Sequence, residues 1–255
     1  MLWYKSWLDT RWHFLTGLAL LMLGACGLVF GYPRVVKLLP LASSIDVQGE
    51  VGRRLKEGAE LAREYRGYVW WQWIGQNLIQ IGTLFAALLG SGSPISQGSG
   101  SAALFTLSLP VSRSRLLGVR AAAGLAEYFA LAMLPMLLIP LLSPAVGQTY
   151  GVGDALVHGA CVFFVGSVFF SLAFLLSTVF DDLWRPWLMA CLVAGIVSLL
   201  GLVVPGFSRY GPFGVMSGDL YFRGGGLPWL GLIASAAASA AMLYGSVINI
   251  ARRDF

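Results

Sequence analysis

Four amide side chains stand close together in one apolar stretch of this chain. Gln72, Gln76 and Gln80 fall at i, i+4 and i+8, with Asn77 and Thr83 beside them. On an α-helix that spacing puts the three glutamines on one face. Amides facing lipid are costly, so the stripe predicts contact with other helices or with water. Two roles fit it: hydrogen bonding between helices, or lining a polar path. Glu127 is the second notable group. It lies about two turns into another apolar run, flanked by Ala126 and Tyr128. An ionised acid at the centre of a membrane helix costs about 2.5–3.5 kcal/mol. Near a helix end it costs less, and Arg120 and Arg115 precede it by about two and three turns. A buried ion pair or amide contact is one reading of Glu127. A conformational relay is the other.

The groups that could support catalysis are few and scattered. His13 and His158 are far apart and have no acid ligand nearby. Asp181-Asp182 sits at a helix end, where solvated carboxylates are ordinary. Cys26, Cys161 and Cys191 lie inside apolar runs with no CxxC spacing, which suits buried thiols acting as small hydrophobes. Neither HExxH nor GxSxG occurs. The lysines are Lys5, Lys37 and Lys56, and none follows a glycine, so a GxxxxGK[ST] nucleotide loop is excluded. A polytopic membrane enzyme, such as an intramembrane protease or a lipid-modifying enzyme, would have only His158, Asp181 and Asp182 to work with. A non-catalytic membrane scaffold would need none of them.

The elements that position these groups are read from composition. Of 255 residues, 57% are hydrophobic and 11% charged. Soluble domains carry about 25% charged residues. An apolar run of about 20 residues crosses a bilayer as a helix. The sequence predicts an all-α polytopic membrane protein, one domain over 1–255, with six spans at about 13–31, 71–90, 119–142, 155–180, 187–204 and 227–250. The first run resembles a signal peptide, and Leu23-Gly24-Ala25-Cys26 resembles a lipoprotein cleavage box. The apolar run continues through Leu28, Val29 and Phe30, so it is expected to stay as a span. Residues 32–68 form an extracytoplasmic excursion, opened by Tyr32-Pro33 and containing a helix over Glu50 to Arg66. Arg53–Glu57 and Lys56–Glu60 support that helix. It either rests on the membrane surface or docks a partner. Trp70, Trp71 and Trp73 suit an interfacial belt. Ala234, Ala237, Ala238, Ala241 and Gly245 favour close packing of the sixth span. No internal repeat is visible.

Basic residues set the topology. With both termini cytoplasmic, Lys5, Arg11, Arg113, Arg115, Arg120, Arg185, Arg252 and Arg253 lie inside, and Arg209 and Arg223 lie outside. The first loop conflicts, since it holds seven Lys/Arg beside five acids. Every other loop agrees. The basic residues sit at the ends of apolar runs and form no block, which argues against nucleic-acid binding. Between spans two and three, Ala102 to Leu109 is short and apolar, Pro110 stops it, and Ser112 is placed to cap the next helix.

Phe105-Thr106-Leu107-Ser108-Leu109-Pro110-Val111-Ser112-Arg113-Ser114-Arg115-Leu116-Leu117 resembles the cytoplasmic segment of ABC-2 type transporter permeases. In that family a short helix after the second span ends in a Leu-Pro-Val-Ser-Arg-like stretch. A glutamate soon after it is common, matched here by Glu127, and the tail Arg252-Arg253-Asp254-Phe255 is similar too. Gln97-Gly98-Ser99-Gly100-Ser101 stands where the family often has acids and Gly-Thr. The resemblance implies a permease in a prokaryotic cell (inner) membrane that works with a separate cytoplasmic ABC ATPase and a second permease, identical or similar. ATP and Mg would bind that ATPase and not this chain. Residues 101–109 would be the coupling helix. Phe105, Leu107, Leu109, Pro110, Ser112, Arg113 and Arg115 would meet the ATPase, with Glu127 as relay. Arg113 and Arg115 would bind acids on the partner or lipid phosphates, or act as ordinary positive-inside anchors. Gln72, Gln76, Asn77 and Gln80 would border the path, and export is the commoner direction in the family.

Overall fold

A computed structural model describes residues 2–43, 50–92, 113–180, 182–204 and 210–251. Among them the chain is all-α. The elements are α1 (Leu2–Ser43), α2 (Glu50–Leu61), α3 (Tyr65–Gly90), α4 (Arg113–Leu142), α5 (Val152–Ser177), α6 (Trp184–Val203), α7 (Pro212–Ser217), α8 (Asp219–Phe222) and α9 (Trp229–Ala251). Six of these, α1, α3, α4, α5, α6 and α9, are long and apolar enough to cross a membrane. That number agrees with the six apolar runs and fits a multi-pass membrane protein.

The helices outrun the apolar windows that announce them. α1 begins at Leu2, because Ser6 and Thr10 are buried against α4 and make the first turns part of the bundle. It also passes through Tyr32-Pro33 to Ser43, so the excursion opens later than the sequence suggests. The helix expected over Glu50 to Arg66 stops at Leu61, and Tyr65 and Arg66 already belong to α3. α3 is wound in two ways. Tyr65–Tyr68 and Ile79–Gly90 are α, but Val69–Leu78 is a π-helix with i→i+5 bonding. Pro135 and Pro140 lie inside α4 without ending it.

α5 is the post around which the bundle is built. It packs against α3, α4, α6, α7 and α9. Its buried side chains point several ways, from Ala155 and Cys161 to Phe170, Ala173 and Phe174. Two glycines make the closest approaches. A Cβ on Gly90 would strike the carbonyl of Phe170, and one on Gly166 would strike the Tyr128 hydroxyl. Only a residue without Cβ lets the helices come so near. Tyr128 is fully buried and its hydroxyl donates to the Val162 carbonyl at 3.1 Å.

α9 docks on α5 partly through serines, while Ala238 and Gly245 are half-buried and Gly245 lies beside Leu175. Ser239 bonds Ser171 at 2.6 Å and the Ser167 carbonyl at 3.2 Å, and Asn249 donates to the Thr178 hydroxyl at 2.9 Å. Ala234, Ala237 and Ala241 are exposed. Hydroxyls in apolar surroundings gain more from bonding across a helix pair than methyl groups gain from contact. The short helices α7 and α8 fold back into the bundle between α6 and α9. Phe213 stacks on Phe169 with centroids 5.7 Å apart, and Met216 is fully buried.

Candidate functional site

Polar groups gather at the two ends of α3. At its Gly90 end, the buried Arg120 of α4 spreads its guanidinium over two elements. Nε donates to the Gly92 carbonyl at 2.8 Å, and Nη1 donates to the Ser6 carbonyl of α1 at 2.8 Å. One turn further along α1, the Thr10 hydroxyl meets Glu127 Oε1 at 2.6 Å and the Ser6 carbonyl at 3.1 Å. Glu127 is 5% exposed, and its Oε2 has no hydrogen-bond partner. The sequence suggested that Glu127 would pair with Arg120 or Arg115. Its hydrogen bond instead goes to Thr10 of α1, while Arg120 donates to backbone carbonyls and Arg115 is exposed. Arg120 is also no surface anchor of the positive-inside kind, since it is buried.

Phe105, Leu107, Leu109, Pro110 and Ser112, which the resemblance would place against an ATPase, lie outside the described residues, as does Asp181. Arg113 begins α4. The segment 93–112 therefore leaves α3 beside Gly92 and rejoins the bundle at α4, and Arg120 ties those two points to each other and to α1.

Along α3 the amide stripe is split. Gln76 and Gln80 are exposed on the outer surface of this single chain, and neither has a hydrogen-bond partner among the described residues. Gln72 is half-buried. Asn77, also half-buried, donates to the Gln72 carbonyl at 2.5 Å. The tryptophans are not an interfacial belt. Trp73 is 1% exposed and lies against Gly24 of α1, while Trp70 stacks on Phe222 at 4.5 Å and donates to the Ser217 carbonyl at 2.9 Å.

At the Tyr65 end of α3 the structure assembles a cluster that the sequence reading missed. Arg66 grips Asp154, the acid in the first turn of α5, with Nε 3.0 Å from Oδ2 and Nη2 3.2 Å from Oδ1. The Tyr221 hydroxyl of α8 donates to Asp154 Oδ1 at 2.9 Å, and Arg66 lies 5.5 Å over the Phe222 ring. Tyr65 bonds Ser143 at 2.8 Å. Tyr150, in the loop before α5, has its phenol pKa pushed up, first by burial and then by the Asp154 charge. The hydrogen bond to Asp154 raises that of Tyr221, with burial and the same charge adding to it. A signal was available: an arginine and an acid at the starts of two predicted spans on one side of the membrane.

Among the described residues, His158 and Asp182 lie at opposite ends of α5. His158 near the start of α5 is buried, with Nδ1 on the Asp154 carbonyl at 2.8 Å. Asp182, beyond the other end of α5, is exposed and pairs with Arg185 at 3.0 Å. Among the described residues no group of three His, Cys, Asp or Glu could hold a metal ion. In comparisons with known proteins, no family model, curated protein or solved structure matches this chain.

Proposed function

We propose that this chain is the membrane permease subunit of an ATP-driven ABC-2 type exporter, with both termini cytoplasmic, energised by a separate ATPase and paired with a second permease. The observation that supports this most is the Arg120 node. The resemblance puts the coupling helix in the segment 93–112. One guanidinium bonds the residue just before that segment and, across the bundle, the start of α1. A push on the segment would reach α1, α3 and α4 together. The missing nucleotide loop agrees with a partner that supplies ATP hydrolysis. Outward-facing Gln76 and Gln80 agree with a second permease across a polar path, since amides in lipid are costly.

The test is copurification from membranes of the native host. The wild-type chain should bring down a soluble protein carrying a GxxxxGK[ST] loop. Arg113→Glu with Arg115→Glu should lose it or fail to stimulate its ATPase. Gln76→Leu with Gln80→Leu should keep the complex but reduce transport in vesicles. A purified chain that hydrolyses nucleotide or cleaves a substrate alone in liposomes would overturn the proposal.

A further inference from the structure

Counting donors around Glu127 decides which form of the acid the fold accommodates. An ionised carboxylate offers about four acceptor sites. Glu127 is buried, its Oε2 meets no donor, and its Oε1 meets one group, the Thr10 hydroxyl at 2.6 Å. Arg120 is the charged group that acts on it, yet the two form no ion pair among the described residues, and the guanidinium donates to the Gly92 and Ser6 carbonyls. α3, α5 and α9, which also pack on α4, bring no charged side chain to Glu127 among the described residues. On α1, the exposed Asp9 and the half-buried His13 act on Arg120 and not on the acid. A carboxylate buried with a single donor is expensive, and the neutral acid is the cheaper form.

Thr10 points the same way. Its hydroxyl has one proton and two oxygens in reach, Glu127 Oε1 and the Ser6 carbonyl at 3.1 Å. Were Glu127 ionised, both would be acceptors competing for that proton. With a proton on Glu127, each contact has its own donor. Oε1–H donates to Thr10, and Thr10 donates to the Ser6 carbonyl, which also takes Arg120 Nη1 at 2.8 Å.

We propose that Glu127 is a proton-binding site between α1 and α4, which holds a proton on Oε1 while Thr10 is seated and releases it when α1 withdraws and water reaches the acid. On release the O–H bond breaks, its electron pair stays on Oε1, and the proton passes to water. The carboxylate left behind resists return to the dry contact, so proton occupancy and closure of α1 on α4 rise and fall together. Arg120 stands two turns back on the same helix. A newly ionised Glu127 would draw the guanidinium from Ser6 and Gly92, so one proton biases the bonds that tie α1, α3 and α4 together. The site stands independently of the exporter reading.

The experiment is infrared spectroscopy of the full chain in nanodiscs at neutral pH. The wild type should show the carbonyl stretch of a neutral carboxylic acid, and Glu127→Gln should lose it. Thr10→Val keeps the shape but removes the hydroxyl, so the band should persist at higher frequency. Thr10→Trp is too large for the contact, wedges α1 from α4 and should weaken the band at the same pH. A wild-type spectrum without the band overturns the proposal, whatever the variants do. A band that survives Glu127→Gln overturns it too, since another acid would then carry the proton. A band unmoved by both Thr10 variants removes the link between the proton and α1.

Discussion

Replacing Arg120 by methionine tests the node between α1, α3 and α4. Methionine keeps the length and apolar stem but deletes every donor. Two short bonds to carbonyls vanish, at Gly92 and at Ser6. A hydrogen bond from a charged group is worth about 1.5–3 kcal/mol net. Removing a buried guanidinium also relieves its desolvation, which offsets part of that loss. Ser6 keeps other partners, since the Thr10 hydroxyl bonds the same carbonyl. Gly92 loses the Arg120 donor on its carbonyl, and a buried carbonyl left unpaired costs about 1–3 kcal/mol. The balance is a loss of about 2–3 kcal/mol. At about 2–4 °C per kcal/mol for a chain of this size, the melting temperature in detergent, followed by tryptophan fluorescence, should drop by about 4–12 °C. Arg120→Lys, a single compact donor, should lose about half as much. Ser6→Ala removes only a 3.5 Å contact and should stay near wild type. If Arg120→Met melts with the wild type, the guanidinium does not tie these helices together and the reasoning fails.

Gly90→Ala should cost about 1–3 kcal/mol through its clash with the Phe170 carbonyl, read as a lower melting temperature, whereas alanine at the open Gly118 should be neutral. The Tyr150 and Tyr221 phenols ionise only above their usual value of 10.0 in the folded chain. Their contribution to stability is complete below that value and disappears as the pH rises through the raised values, so a melting temperature that stays level up to about pH 10 and falls beyond it is expected, with less of a fall in Tyr221→Phe. Deleting Gly75 from the π stretch removes a surplus residue, so this chain should remain monodisperse on size exclusion, while deleting Ala87 from the α-wound half should aggregate it.

The six long helices were legible because an apolar window of spanning length leaves a chain few alternatives. Their true ends were not. Ser6 and Thr10 lie before the first apolar window, yet both are buried where α1 meets α4, a contact no local pattern announces. The amide face was half legible. Gln76 and Gln80 are exposed as the spacing implies, while Gln72 is half-buried, and the π winding over Val69–Leu78 has no signal in the local sequence. The same blindness hid Arg66, Asp154 and Tyr221, which lie on three separate elements and have no common spacing. Arg120 was misjudged because an arginine beside Arg113 and Arg115 looks like one more surface charge, and only its bonds to Gly92 and Ser6 distinguish it.

Because α5 touches so many neighbours, the order of synthesis matters. The second and third spans leave the ribosome before α5, against which both pack, so Gly90, Gly124 and Tyr128 face nothing that fits them until Val162, Gly166 and Phe170 arrive. A nascent chain halted before Val152 should therefore hold α1 on α4 but leave the faces of α3 and α4 that meet α5 open to proteases and chaperones. Insertion of one more helix then covers those faces.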